Sequence, residues 1–146
     1  MTGLSPDAEA FVRAARVGRL ASVDGRGRPH VVPVCFVYAE GVVYSVLDEK
    51  PKRVADHELR RVRNIRANPS VQLLVDHYEE DWRRLAYVQL RGSADLLETG
   101  PEHAAALRLL RAKYPQYVAM ALEGRPVIRI AVERATSWGR PPTGMP

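Results

Sequence analysis

Cysteine is almost missing from this sequence. A single thiol, Cys35, among 146 residues cannot close an internal disulfide. The fold must therefore rest on its core, and a reducing compartment is the simplest setting. Aromatic side chains are few, with two Trp, two Phe and six Tyr. They are not interleaved with basic residues as in single-strand nucleic-acid binders, and no helix-turn-helix is recognisable. No apolar run approaches the roughly 20 residues of a membrane span. The first fifteen residues carry Asp7 and Glu9 and lack a long apolar centre, so they do not read as a secretory signal. Cytoplasmic residence is the expectation. No repeat, linker or low-complexity block interrupts the chain, which suits one domain over residues 1–146 with an irregular tail from about 138. No Cys/His pair has zinc spacing. No Ser–His–Asp order or pair of catalytic carboxylates is evident, which disfavours most hydrolases.

Lysine is scarce as well. Of 22 basic residues, three are lysines: Lys50, Lys52 and Lys113. Two of the three flank one proline. The net charge of +5 favours an anionic partner. Hydrophobic residues at 46% and charged residues at 27% are ordinary for a globular protein, and a chain of this length can bury about two thirds of its unfolded surface.

Ser5-Pro6-Asp7 reads as a helix start, with Ser5 the cap and Asp7 and Glu9 facing the positive end. This helix should end near Gly18. Arg19–Val23, a turn at Asp24-Gly25, Pro29–Tyr38, a turn at Ala39-Glu40-Gly41 and Val42–Leu47 predict three strands in an antiparallel meander. Val31 to Val37 is nearly all apolar, which predicts a strand buried on both faces. Ala55, Leu59, Val62 and Ile65 fall at helical spacing and predict a helix over Lys52–Ala67, stopped by Asn68-Pro69. Ser70–Asp76 and Leu85–Leu97 are further strands, the second with Gly92 as a candidate bulge. A helix from Thr99 to Lys113, a short helical piece over Gln116–Leu122 and a last strand over Val127–Ala135 complete the order. Strands adjoin strands without strict βαβ alternation, so the fold class is mainly β with peripheral helices, an antiparallel barrel.

The strongest local arrangement is Ser45 to Arg53, where a strand ends and a helix is expected to begin at Pro51. A first helical turn has unpaired N–H groups and a positive dipole end. Lys50, Lys52 and Arg53 added there make a phosphate or carboxylate site. The alternative is that Asp48 and Glu49 are merely caps and ion-pair partners, since cations oppose the dipole by a few tenths of a kcal/mol.

Arg19-Leu20-Ala21-Ser22-Val23-Asp24, Pro29-His30-Val31-Val32-Pro33-Val34, Lys50-Pro51-Lys52, Arg63-Asn64-Ile65, Asn68-Pro69 and Leu74-Val75-Asp76-His77-Tyr78 together resemble the pyridoxamine 5'-phosphate oxidase-like split β-barrels. More narrowly, the chain is similar to the probable F420-dependent enzymes of actinobacteria. The stretch Asp76 to Trp82 is the most specific part of the likeness. It covers Val17 to about Leu97 well and the remainder loosely. The resemblance implies an FMN-binding-like split barrel and a homodimer with two cofactor sites at the interface. It also implies hydride transfer between reduced F420 and a small organic substrate. Val34, Cys35 and Phe36 would back the ring through main-chain groups, and Ser45 and Val46 would line the next strand. Lys50, Pro51, Lys52 and Arg53 would meet the phosphate. Trp82 and Trp138 are assigned as pocket-closing residues, from either subunit. FMN in place of F420, as an oxidase or flavin reductase, and a non-enzymatic cofactor carrier stay open.

Cys35 reads as a buried, inert thiol. His30 and His77 stand at strand ends as possible ligand contacts or plain hydrogen-bonded histidines. His57 and His103 read as solvated, and Arg60, Arg61, Arg63 and Arg66 as solvated helix charge.

Overall fold

The computed structural model describes residues 3–48 and 59–140. Helix α1 (Pro6–Ala14) starts as the sequence predicts: Ser5 Oγ accepts the Ala8 N–H at 3.1 Å and Pro6 takes the first position. Strands β1 (Gly18–Val23) and β2 (Pro29–Val34) form a hairpin closed by Asp24, whose carboxylate accepts the Arg26 and Arg28 N–H groups. Strands β3 (Val37–Ala39) and β4 (Val42–Val46) form a second hairpin. Glu40 and Gly41, both at positive φ, supply the two left-handed positions that such a turn demands.

The expected meander is not formed. The run Pro29–Tyr38 is two strands, and β2 and β3 lie at opposite edges of one seven-stranded antiparallel sheet in the order β2-β1-β5-β6-β7-β4-β3. The other strands are β5 (Ser70–His77), β6 (Ala86–Leu97) and β7 (Val127–Gly139). The break at Cys35-Phe36 has a side-chain cause. Tyr114 Oη accepts the Phe36 N–H at 3.0 Å and lies 3.0 Å from the Phe36 carbonyl, to which Lys113 Nζ also donates at 2.9 Å. These bonds satisfy Phe36's main chain where a strand partner otherwise would. Nor is β2 buried on both faces: Val31 is 64% exposed. An apolar run cannot say whether its strand will be central or at an edge, and this one is at an edge.

Helix α2 runs Arg60–Ala67 with Leu59, extended at ψ 141°, as its N-cap; the earlier part of the expected Lys52–Ala67 helix lies outside the described residues. Lys50, Pro51, Lys52, Arg53 and His57 lie outside the described residues. Val62 and Ile65 are buried as expected, and so is Asn64, whose Nδ2 donates to Ser22 Oγ of β1 at 3.0 Å. The last strand runs to Gly139, past the expected Ala135, because Trp138 and Gly139 stay in register with Tyr87 and Ala86 of β6. The bulge falls where Gly92 marks it: Arg91 faces Arg134 and Gly92 faces Val132, leaving Glu133 as the extra residue. Glycine is required there, since a Cβ would collide with the Ala131 carbonyl oxygen.

Helix α3 (Pro101–Lys113) and a 3-10 turn (Pro115–Ala119, in place of the expected Gln116–Leu122) pack on the outside of the sheet. Two cores result. Leu20, Phe36, Val43, Leu47, Leu73, Leu90 and Ile128 fill the inside of the curled sheet, while Val37, Tyr44, Val46 and Val127 meet Leu107, Leu110, Tyr114 and Tyr117 outside it. Strand β4 is buried on both faces for this reason, and its continuous apolar sequence reflects it. His103, expected to be solvated, is only 5% exposed and its Nε2 donates to the Arg125 carbonyl at 2.7 Å. The architecture is the expected split β-barrel with peripheral helices.

Candidate functional site

Three of the sequence-predicted residues meet at the corner between β2 and β3. Val34 and Phe36 turn their side chains into the barrel core, 7% and 0% exposed, and Cys35 between them is half-buried. Phe36's N–H and carbonyl are already engaged by Tyr114 and Lys113. Ser45 and Val46 on β4 are both 4% exposed, Val46 beneath α3. Past Val46, the chain is held at Asp48, buried to 5% exposure, immediately before Glu49-Lys50.

Sequence reasoning did not foresee what holds these strand ends. Tyr117 Oη donates to Asp48 Oδ2 at 2.8 Å, and Arg125 Nη2 donates to the Asp48 carbonyl at 2.7 Å. The Tyr117 hydroxyl also meets the Cys35 thiol. Burial, then the Asp48 bond, push the Tyr117 phenol far above its ordinary range, so it keeps its proton and donates. Tyr114 packs tilted against Tyr117, ring centroids 5.4 Å apart, and burial pushes its phenol up to about 12. Lys113 Nζ stands 4.2 Å over the Phe36 ring, a cation–π contact, and burial followed by the nearby Arg16 charge draws it down to about 8. The chemistry-bearing residues of α3 and the turn after it thus converge on the Cys35 corner and the β4 end. The available signal was Lys113-Tyr114-Pro115-Gln116-Tyr117, which reads as a helix stop but also places one cation and two phenols together.

Trp82 and Trp138 are elsewhere. Trp82 starts a 3-10 turn (Trp82–Arg84) capped by Asp81 and is 70% exposed. Trp138 is 54% exposed and stacks on Tyr87 at 5.8 Å. Register puts Val46 opposite Val127 and Tyr87 opposite Trp138. The β4 end and Trp138 are therefore at opposite ends of β7, on the order of 30 Å of strand apart at about 3.3 Å per residue. One chain does not bring them into one pocket along that strand.

The Asp76 to Trp82 stretch is knitted locally. Arg19 pairs with Asp76 at 2.9 Å, and His77 Nε2 meets Glu79 at 2.6 Å. Glu79 is held below the usual carboxylate range, by His77 first and Arg84 next. His30, at the other histidine position considered, has its Nδ1 buried without a hydrogen-bond partner among the described residues. Burial and then the Arg60 and Arg61 charges hold it below its ordinary value, favouring the neutral ring. A cleft beside it is lined by Arg28, Arg60, Arg63, Asn64 and Asp24.

The fold is a seven-stranded antiparallel split barrel whose fourth strand is followed in sequence by Lys50-Pro51-Lys52-Arg53. The chain belongs to the pyridoxamine 5'-phosphate oxidase family, whose model matches residues 4–139. Among solved structures it is similar to a FAD-binding protein from Mesorhizobium loti, at 25% identity over 92% of this chain and 94% of that one, with a TM-score of 0.66. It is similar to an F420 reductase at 22% identity over 91% and 98%, TM-score 0.68. The haem storage protein HutZ from Vibrio cholerae shares 19% identity over 96% of each chain, TM-score 0.70. No curated protein matches the chain significantly. Among the described residues no helix is long and apolar enough to cross a membrane.

Proposed function

We propose that this protein is an oxidoreductase that binds cofactor F420 and transfers hydride between it and a small organic substrate. The observation that carries the reading is the way β4 ends: a buried, doubly held Asp48 leads directly into Lys50-Pro51-Lys52-Arg53. Within a family of cofactor binders, that stretch is the natural partner of a cofactor phosphate. When bound, the deazaflavin supplies the hydride-carrying carbon, and the protein's part is to hold and shield it. Lys50, Lys52 and Arg53 would take the phosphate, with Val34, Cys35, Ser45 and Val46 backing the ring. The cofactor sites would lie between two copies of the chain. The separation of Trp138 from the β4 end along β7 supports this, because a pocket closed by Trp138 then calls for a second chain.

The test is a titration of purified protein with F420, FMN, FAD and haem, followed by cofactor and tryptophan fluorescence, with sedimentation to give the oligomeric state. F420 binding, with turnover of reduced F420 by an enone, quinone or nitro compound, is the expected result. FMN binding without F420 binding refutes the deazaflavin assignment. F420 bound but never turned over makes the protein a carrier. Haem binding alone removes the flavin reading altogether. Lys52→Ala should weaken cofactor binding by about 1–3 kcal/mol, the worth of a charged hydrogen bond.

A further inference from the structure

We infer that Lys113 is a carbamate-forming amine, placed to take carbon dioxide and exchange its positive charge for a negative one.

Lys113 is the last residue of α3. A cation there suits the helix's negative end, and a side chain extended into solvent would serve that purpose. Instead the amine lies over the Phe36 corner. Nζ donates to the Phe36 carbonyl at 2.9 Å and stands 4.2 Å from the centre of the Phe36 ring and 5.4 Å from that of Tyr114. The charges beside it are arginines. Arg16, just after α1, has its guanidinium carbon 4.8 Å from the centre of the same Tyr114 ring and donates to the Lys113 carbonyl at 2.8 Å. Arg13, on α1, stands over the Tyr38 ring and is paired with Glu9 at 2.8 Å. The other titratable groups at this place, Cys35, Tyr38 and Tyr114, are neutral when protonated. Among the described residues no carboxylate pairs with Lys113. An open cleft of about 310 Å³, with Arg13, Val37, Ala39 and Leu109 in its walls, leads from solvent to Lys113.

These surroundings choose the reaction. Burial, then the Arg16 charge, draw the amine down to about 8. Near pH 7.5 roughly a quarter of it is then neutral, against about one part in a thousand for an ordinary lysine. A neutral amine still donates an N–H to the Phe36 carbonyl and has a lone pair for an electrophile. Condensation with an aldehyde would end in a protonated imine, a cation returned to a cluster of cations. Attack on carbon dioxide ends in an anion. The Nζ lone pair forms the C–N bond, one C–O π pair moves onto oxygen, and the nitrogen releases a proton to solvent. Amine and carbon dioxide become carbamate and a proton, with nothing oxidised or reduced. The carbamate nitrogen keeps one hydrogen, so the Phe36 carbonyl keeps a donor. The new negative charge faces Arg16 and Arg13 in a half-buried place, where opposite charges attract more strongly than in water.

The experiment equilibrates the intact protein with isotope-labelled bicarbonate near pH 7.5, alongside Nα-acetyl-lysine as the reference amine. Carbamates are trapped as esters with a trialkyloxonium salt and located by peptide mass spectrometry. Lys113 should be trapped more than about tenfold above the reference. Arg16→Gln removes the charge that both keeps the amine neutral and faces the carbamate, so trapping should fall severalfold. Arg16→Lys retains a charge and should restore it. Thermal melts check that both variants fold. Trapping at Lys113 no greater than on the reference amine overturns the inference in the unaltered protein alone. Undiminished trapping in folded Arg16→Gln, or no recovery in folded Arg16→Lys, overturns it as well.

Discussion

Removing one oxygen atom, by Tyr114→Phe, should cost about 2 kcal/mol, the middle of the range for a buried polar group left without its partner. The hydroxyl accepts the Phe36 N–H at 3.0 Å and lies 2.9 Å from the Arg16 carbonyl and 3.0 Å from the Phe36 carbonyl, to either of which it can donate its one proton. The Phe36 carbonyl retains Lys113 Nζ as a donor after the substitution, and Arg16 is exposed, so water can replace the tyrosine there. The Phe36 N–H has no such recourse, because Phe36 is 0% exposed. An amide stranded in a core costs about 1–3 kcal/mol. The ring stays in place, so no cavity adds to this. For a domain of this size each kcal/mol moves Tm by roughly 2–4 °C, giving a drop of about 4–8 °C. Denaturant unfolding should show a lower midpoint with an unchanged slope. Tyr78→Phe is the comparison, since that hydroxyl is at the surface, 3.3 Å from Glu80, and should be worth nothing measurable. A loss in Tyr114→Phe below about 0.5 kcal/mol, the floor for a hydrogen bond that contributes at all, would show that the corner is not held by this bond. Equal losses in the two variants would show the same.

Three further outcomes follow from the same geometry. Gly92→Ala should destabilise by roughly 1–3 kcal/mol, since its Cβ collides with the Ala131 carbonyl oxygen; an ordinary strand glycine would gain from the change, so increased stability in urea refutes the bulge. Ser22→Ala and Asn64→Ala, singly and together, should show a coupling of about 0.5–1.5 kcal/mol in a double-mutant cycle, and purely additive losses would deny the buried bond between β1 and α2. Lys113 is drawn down to about 8 when folded and titrates near 10.5 when unfolded. Between those values the unfolded chain binds more protons, so this residue's contribution makes stability rise with pH across that window. Lys113→Met should abolish that rise in melts from pH 8 to 10, and an unchanged profile would assign it to another group.

The sequence carried the local decisions. Ser5-Pro6 starts a helix, Asp24-Gly25 and Glu40-Gly41 turn the chain, Asn68-Pro69 stops a helix and Gly92 marks the bulge, all because each depends on the conformational limits of a few adjacent residues. The likeness to the split barrels was legible for a similar reason, since those short patterns sit at hairpins, caps and strand ends. Partnering across the fold was not. An apolar run such as Val31 to Val37 is equally compatible with a central strand, an edge strand or two strands, and only the arrival of Tyr114 and Lys113 from nearly eighty residues away separated β2 from β3. The extended backbone of Leu59, where α2 is capped, also escaped helical periodicity, because apolar spacing records which face is buried and says nothing of where ψ leaves the helical range. The candidate site divides in the same way. Lysines flanking a proline after a strand are a sequence feature. The phenols that hold the strand before them, and the length of β7 between that strand and Trp138, depend on long-range packing, which no window of adjacent residues contains.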